Sequence, residues 1–175
     1  MSATAVGISV AEWLRPVGYG YRELSNDEIE IASEGGEIRF YVRYGGGQVV
    51  VSRAERSGDE YTTMATASFN DAERFLTRTL GQDLRSQVVP TAPRLKLPWT
   101  SGSVADGFTI VEASQSYLPA VVLESGRERA RFADFQTPYA AVQFTHYANI
   151  PIADLRASLL DASGRPSLVA YVQER

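Results

Sequence analysis

The chain has 175 residues, 44% hydrophobic and 22% charged, a composition that buries a core unaided and excludes disorder. It holds no Cys and one His, which excludes disulfide frameworks, thiolate metal sites, cysteine nucleophiles and zinc motifs that need two histidines. A formal net charge of −4 argues against a general nucleic-acid binder, and no run approaches the roughly 20 apolar residues of a membrane span.

Residues 1–8 are small and read as a loose lead-in to one domain over 9–175. Within it, 9–85 form a first half, 86–106 a connector and 107–175 a second half. Met1 to Val10 lacks the basic region and long apolar run of a secretory signal, so a cytoplasmic location is expected. Ser9 and Glu12 make a capping-box start for a short helix carrying Val10, Trp13 and Leu14, and Pro16 and Gly18 end it. Strands follow at Tyr19–Leu24 and Glu28–Ala32, where Ile29 and Ile31 alternate with Glu28 and Glu30. Past the Gly35-Gly36 turn, Glu37–Tyr44 alternates again. The triple glycine Gly45–Gly47 bends the chain into Gln48–Arg53, and Ser57, Gly58 and Asp59 turn it into Glu60–Ser68. Short alternating strands with turn residues between them predict an antiparallel meander.

At Asn70 the period changes. Asn70 and Glu73 form a capping-box pair, Phe75, Leu76 and Leu80 recur at helical spacing, and Gly81 is placed to end the helix. Three prolines (Pro90, Pro93 and Pro98) mark the connector, whose Leu95, Leu97 and Trp99 are expected to pack on the body. The second half then repeats the scheme loosely. Strands are expected at Phe108–Ala113, Ala120–Glu124 and Arg127–Phe132, and a helix at Phe135–Tyr147. Asn149 is expected to cap a last helix from Pro151, and Leu168–Val172 closes as a strand. Gly18-Tyr19 and Gly107-Phe108 each open a strand pair, a weak two-half pseudo-repeat. The expected fold class is α+β, a mainly antiparallel sheet with helices packed on one side.

No catalytic constellation stands out, and neither metal nor cofactor is expected. His146 falls near a helix C-terminus and reads as a cap or packing residue; the rival reading is an enzyme or small-ligand domain with a pocket around it. Glu28 with Glu30, and Glu34 with Glu37, occupy positions where a solvated face is expected, whereas an acid–base pair needs burial. The triple glycine has no Gly-Lys-Ser/Thr after it and is no phosphate loop. It reads as a hairpin tip needing positive φ. As a tip without side-chain bulk it is also a means of entering a partner's cleft, with Tyr44 and Gln48 adding contact area. The candidate partner-binding residues are therefore Tyr44, Gly45, Gly46, Gly47 and Gln48, joined by the acidic Asp59 and Glu60 on the next turn. Trp99 reads first as a buried anchor for its loop and second as an exposed contact residue.

The segment Gly35-Gly36-Glu37-Ile38-Arg39-Phe40-Tyr41-Val42, the helix Asp71–Arg85, His146-Tyr147, and Ala153–Pro166 with its Leu-Asp-Ala-Ser-Gly-Arg-Pro ending together resemble a family of antitoxins. That family includes the immunity factor for the tuberculosis necrotizing toxin. Order and spacing match from about Trp13 to the C-terminus. Lys96 is the only Lys among 17 basic residues, a bias compatible with an actinobacterial source. The resemblance implies a polymorphic-toxin immunity protein, without catalysis of its own. It would bind a cognate secreted toxin domain, an NAD⁺ glycohydrolase, one to one and cover its substrate cleft. The matched residues are turn glycines, core positions and caps, so they imply the fold rather than the contact surface.

Overall fold

The computed structural model describes residues 1–134 and 136–173. Eight strands form one open antiparallel sheet: β1 (Tyr19–Ser25), β2 (Glu28–Ser33), β3 (Ile38–Gly45), β4 (Gln48–Glu55), β5 (Tyr61–Thr66), β7 (Phe108–Glu112), β8 (Ala120–Glu124) and β9 (Arg127–Phe132). Their order across the sheet is β1-β2-β3-β4-β5-β9-β8-β7. Two meanders, β1–β5 and β7–β9, therefore meet at the β5–β9 pairing. A second, two-stranded ladder joins β6 (Arg94–Leu95) to β10 (Val172–Gln173). Helices α1 (Ala3–Leu14), α2 (Phe69–Val88), α3 (Tyr139–Thr145) and α4 (Ile152–Leu160) complete the α+β fold.

The alternation in the sequence sets which face is dry. Ile29, Val42, Val51, Met64, Phe132 and Ala120 stand opposite one another in a single row across six strands, and all are buried. Helices α1, α2 and α4 supply Val6, Val10, Leu14, Leu76, Leu80, Leu155 and Leu159 to the same core, and α3 adds Ala141 and Phe144. A sheet with one apolar face must be covered on that face, and the helices do so on that one side. The tight turn between β3 and β4 follows from its residues. Gly46 and Gly47 take φ of 59° and 80°, the doubly positive conformation whose twist matches paired strands.

Several expected boundaries move. The lead-in is helical: α1 starts at Ala3, with the Ser2 side chain accepting from the Ala5 N–H as its cap. Ala3, Val6 and Gly7 are buried, because the small side chains that read as uncommitted allow close approach to the sheet. Ser68, not Asn70, caps α2. Gly81 does not end that helix, which runs on to Val88. A Cβ at Gly81 would lie 2.7 Å from Leu159 and 2.8 Å from Trp13, so the glycine makes room for packing between helices. The third helix begins at Tyr139, and its expected first residue, Phe135, lies outside the described residues. Asn149 does not cap α4; its side chain binds Glu124 instead. The closing strand shrinks to Val172–Gln173, preceded by a 3₁₀ turn at Val169–Tyr171. The connector packs as expected through Leu95 and Leu97, both buried.

Candidate functional site

The carboxylates that alternate with core residues hold ion pairs. Arg43 Nε donates to Glu28 Oε1 at 2.7 Å, and the same guanidinium grips Glu60 through both of its Nη atoms. Arg22 Nη2 reaches Glu30 at 3.1 Å. Arg43 holds the Glu60 carboxyl below its ordinary range, and the Asn149 amide, aided by Arg129, does the same for Glu124. A carboxylate held ionised in this way is no general acid. Among the described residues no cluster of three His, Cys, Asp or Glu is placed to hold a metal ion, and no helix is long and apolar enough to cross a membrane.

His146 is committed on both ring nitrogens. Nε2 lies 2.7 Å from the Ser103 carbonyl and Nδ1 3.0 Å from the Tyr171 hydroxyl. A carbonyl only accepts, so Nε2 donates to Ser103, and in the neutral ring Nδ1 then accepts from Tyr171. The imidazole thus ties the connector and the C-terminal 3₁₀ turn to α3. The groove beside that connector, about 450 Å³, is lined by residues such as Ser101, Val104, Phe108, Ile110, Gln136 and Pro138. Among the described residues that line it, no side chain is an acid or a base, so they offer no acid–base pair.

What remains is surface. The tip of the β3–β4 hairpin stands clear of the body: a Cβ built on Gly45, Gly46 or Gly47 would meet nothing within 4 Å. Tyr44 at its base is 40% exposed and packs on Phe69, ring centroids 5.0 Å apart, which braces the tip against the start of α2. Gln48 is exposed. Asp59 stands on the next turn, away from this tip, while the Glu60 carboxylate reaches back to Arg43, the neighbour of Tyr44. Successive hairpin turns lie at opposite ends of the strand they share, and eight residues of β4 separate these by roughly 25 Å. Glu60 thus spends its charge on Arg43, while Asp59 is exposed.

Trp99 is 41% exposed, and it stacks on Tyr139 (47% exposed) with centroids 4.7 Å apart and planes 6° from parallel. The second reading of Trp99, an exposed aromatic, is the one the structure carries. Neither the Tyr139 partnership nor the strand order that brings β7 to the sheet edge was legible in the sequence. The one signal available was that Phe108-Thr109-Ile110-Val111 runs uncharged.

The sequence profile of the family described as Immunity protein 61 matches residues 13–167. An immunity factor for TNT from Mycobacterium tuberculosis is 23% identical over 165 residues, covering 89% of this chain and 88% of its own length. A homologue of that factor from Mycobacterium bovis BCG gives the same values. The solved structure of Rv3902c from M. tuberculosis superposes with a TM-score of 0.76 at 21% identity, over 91% of each chain; at that identity the likeness speaks for the fold alone.

Proposed function

The chain belongs to the Immunity protein 61 family, and from that membership we propose that it is an antitoxin neutralising a cognate NAD⁺ glycohydrolase domain in the cytoplasm by binding one to one over its substrate cleft. The observation that supports this reading is the family match across nearly the whole chain, with relatives named for their action against a toxin. The surface is compatible with it. A net charge of −4 complements a cleft built to receive dinucleotide phosphates and speeds encounter. The bare Gly45–Gly47 backbone is slim enough to enter such a cleft, while Tyr44 and Gln48 brace its mouth. Inhibition by occlusion requires no catalytic group of the inhibitor, in keeping with a histidine engaged on both ring nitrogens within the fold.

The test is NAD⁺ hydrolysis by the cognate toxin domain from the same genome, titrated with this protein. Activity is expected to vanish at a one-to-one ratio. Undiminished hydrolysis, with no complex on a sizing column, overturns the reading.

A further inference from the structure

The two edges of the eight-stranded sheet are unlike. At one end of the order, β1 carries Arg22 and Glu23 and a register shift between Glu23 and Ser25, devices that keep an edge from pairing with a foreign strand. At the other end, β7 is uncharged over Phe108-Thr109-Ile110-Val111, with one charge at its last residue, Glu112, and its register with β8 is unbroken.

The hydrogen-bond phase shows which backbone groups are free. Ser125 N–H donates to Gly107 and Ala113 N–H to Pro119, so the odd-numbered residues 107–113 face β8. The intervening Ile110 and Glu112 turn their N–H and C=O groups outward. Beside this edge lies the groove of about 450 Å³ whose walls include Val104, Phe108, Ile110 and Pro138. The chain just beyond Ser101 and Pro138 carries the exposed Trp99–Tyr139 stack. Asp106 and Glu112 bracket the strand, both exposed and neither in an ion pair among the described residues.

We propose that the free edge of β7 receives an extended segment of the toxin as a ninth strand. This rests on the antitoxin reading above and names the surface that reading leaves open. Outward N–H and C=O groups select an extended backbone, as in strand addition generally. Residues of the added strand that stand opposite Ile110 send apolar side chains into the groove, against Val104 and Pro138. Unpaired carboxylates at both ends, about 20 Å apart along the strand, select a segment with Lys or Arg flanking an apolar centre. The edge lies four strand spacings from the glycine tip, roughly 19 Å, so one interface of ordinary size spans both.

The test uses the full chain and the cognate toxin domain, reading inhibition of NAD⁺ hydrolysis and amide exchange in the complex. Ile110→Pro removes an N–H that points away from β8, a change edge strands tolerate. Val104→Lys places a charge in the groove wall with the strand backbone untouched. Each is expected to weaken inhibition at least tenfold with the thermal midpoint retained, and Asp106→Lys with Glu112→Lys to slow association at least fivefold at low salt. In the wild-type complex the Ile110 and Glu112 amides become protected. Wild-type inhibition by both Ile110→Pro and Val104→Lys, or free exchange of these amides within an inhibited complex, overturns the edge and leaves the antitoxin reading standing. Failure of the wild-type chain to inhibit overturns both. A dimer of this chain alone that Ile110→Pro dissociates gives the edge to a second copy and overturns the proposal.

Discussion

Arg129 holds Asp71 by two parallel bonds, Nε to Oδ2 and Nη2 to Oδ1, each 2.9 Å long, across 58 residues of chain. Asp71 stands in the first turn of α2, where the helix dipole favours a negative charge. Arg129 leaves β9 to reach it and also takes the Ala148 carbonyl and Glu124. The pair therefore joins sheet, helix and the α3–α4 turn. Asp71→Asn removes one partner of a largely buried pair and is expected to cost about 3 kcal/mol, read as a shift in the urea midpoint at constant slope. Glu124→Gln, at the solvated side of the same arginine, is expected to cost under about 1 kcal/mol.

Gly7 marks how closely α1 approaches the sheet. A Cβ there would lie 2.4 Å from Ile29 Cγ2 and 2.8 Å from its Cδ1. Ile29 is stiff at its branch and fully buried, so it has no easy retreat. Gly7→Ala, favourable for an isolated helix by about 1 kcal/mol, is expected to destabilise by roughly 2 kcal/mol net. Thermal unfolding checks this, and the same change would have no effect on a loose lead-in.

Arg78 is a buried cation in α2 with no ion pair or hydrogen bond among the described residues, and its Nε is unsatisfied. Burial pulls its pKa down, with only the neighbouring Tyr147 opposing. Arg78→Met keeps the apolar stem and removes the unpaired charge. It is expected to stabilise by about 1–2 kcal/mol, seen as a raised urea midpoint.

For the tip, Gly45 is the informative position, since it has open space at its Cβ and does not share the positive φ of Gly46 and Gly47. Gly45→Trp adds bulk without backbone strain. Toxin inhibition at a one-to-one ratio is expected to fall at least tenfold while the melting temperature holds. Full inhibition by this variant removes the tip from the interface.

Acid should weaken the fold in a defined order. Salt-bridged Glu60, Glu124 and Glu128 have folded pKa values below the ordinary one. Above the unfolded Glu value of about 4.3 both states are ionised, and the full stabilisation is present. As the pH falls below it, the unfolded chain takes up protons the native carboxylates refuse, and stability declines until the folded values are passed. Urea titrations at pH 7, 5 and 3.5 are expected to give nearly equal midpoints for the first two and a lower one for the third.

Local patterns in the sequence determined the eight strands of the main sheet, the dry face through alternations such as Ile29, Ile31 and Phe40, Val42, and the tip through Gly46 and Gly47. These depend on neighbours within a few residues, so a reader of the chain can see them. The tertiary structure alone decided that residues 3–8 are helical, that Gly81 is a contact rather than a cap, and that Asp71 meets Arg129. It alone separated Asp59 from the tip and left β7 at an edge beside Trp99 and Tyr139. Each of these depends on which distant segment arrives alongside. That choice is made by burying one shared core, and no short stretch of sequence carries it.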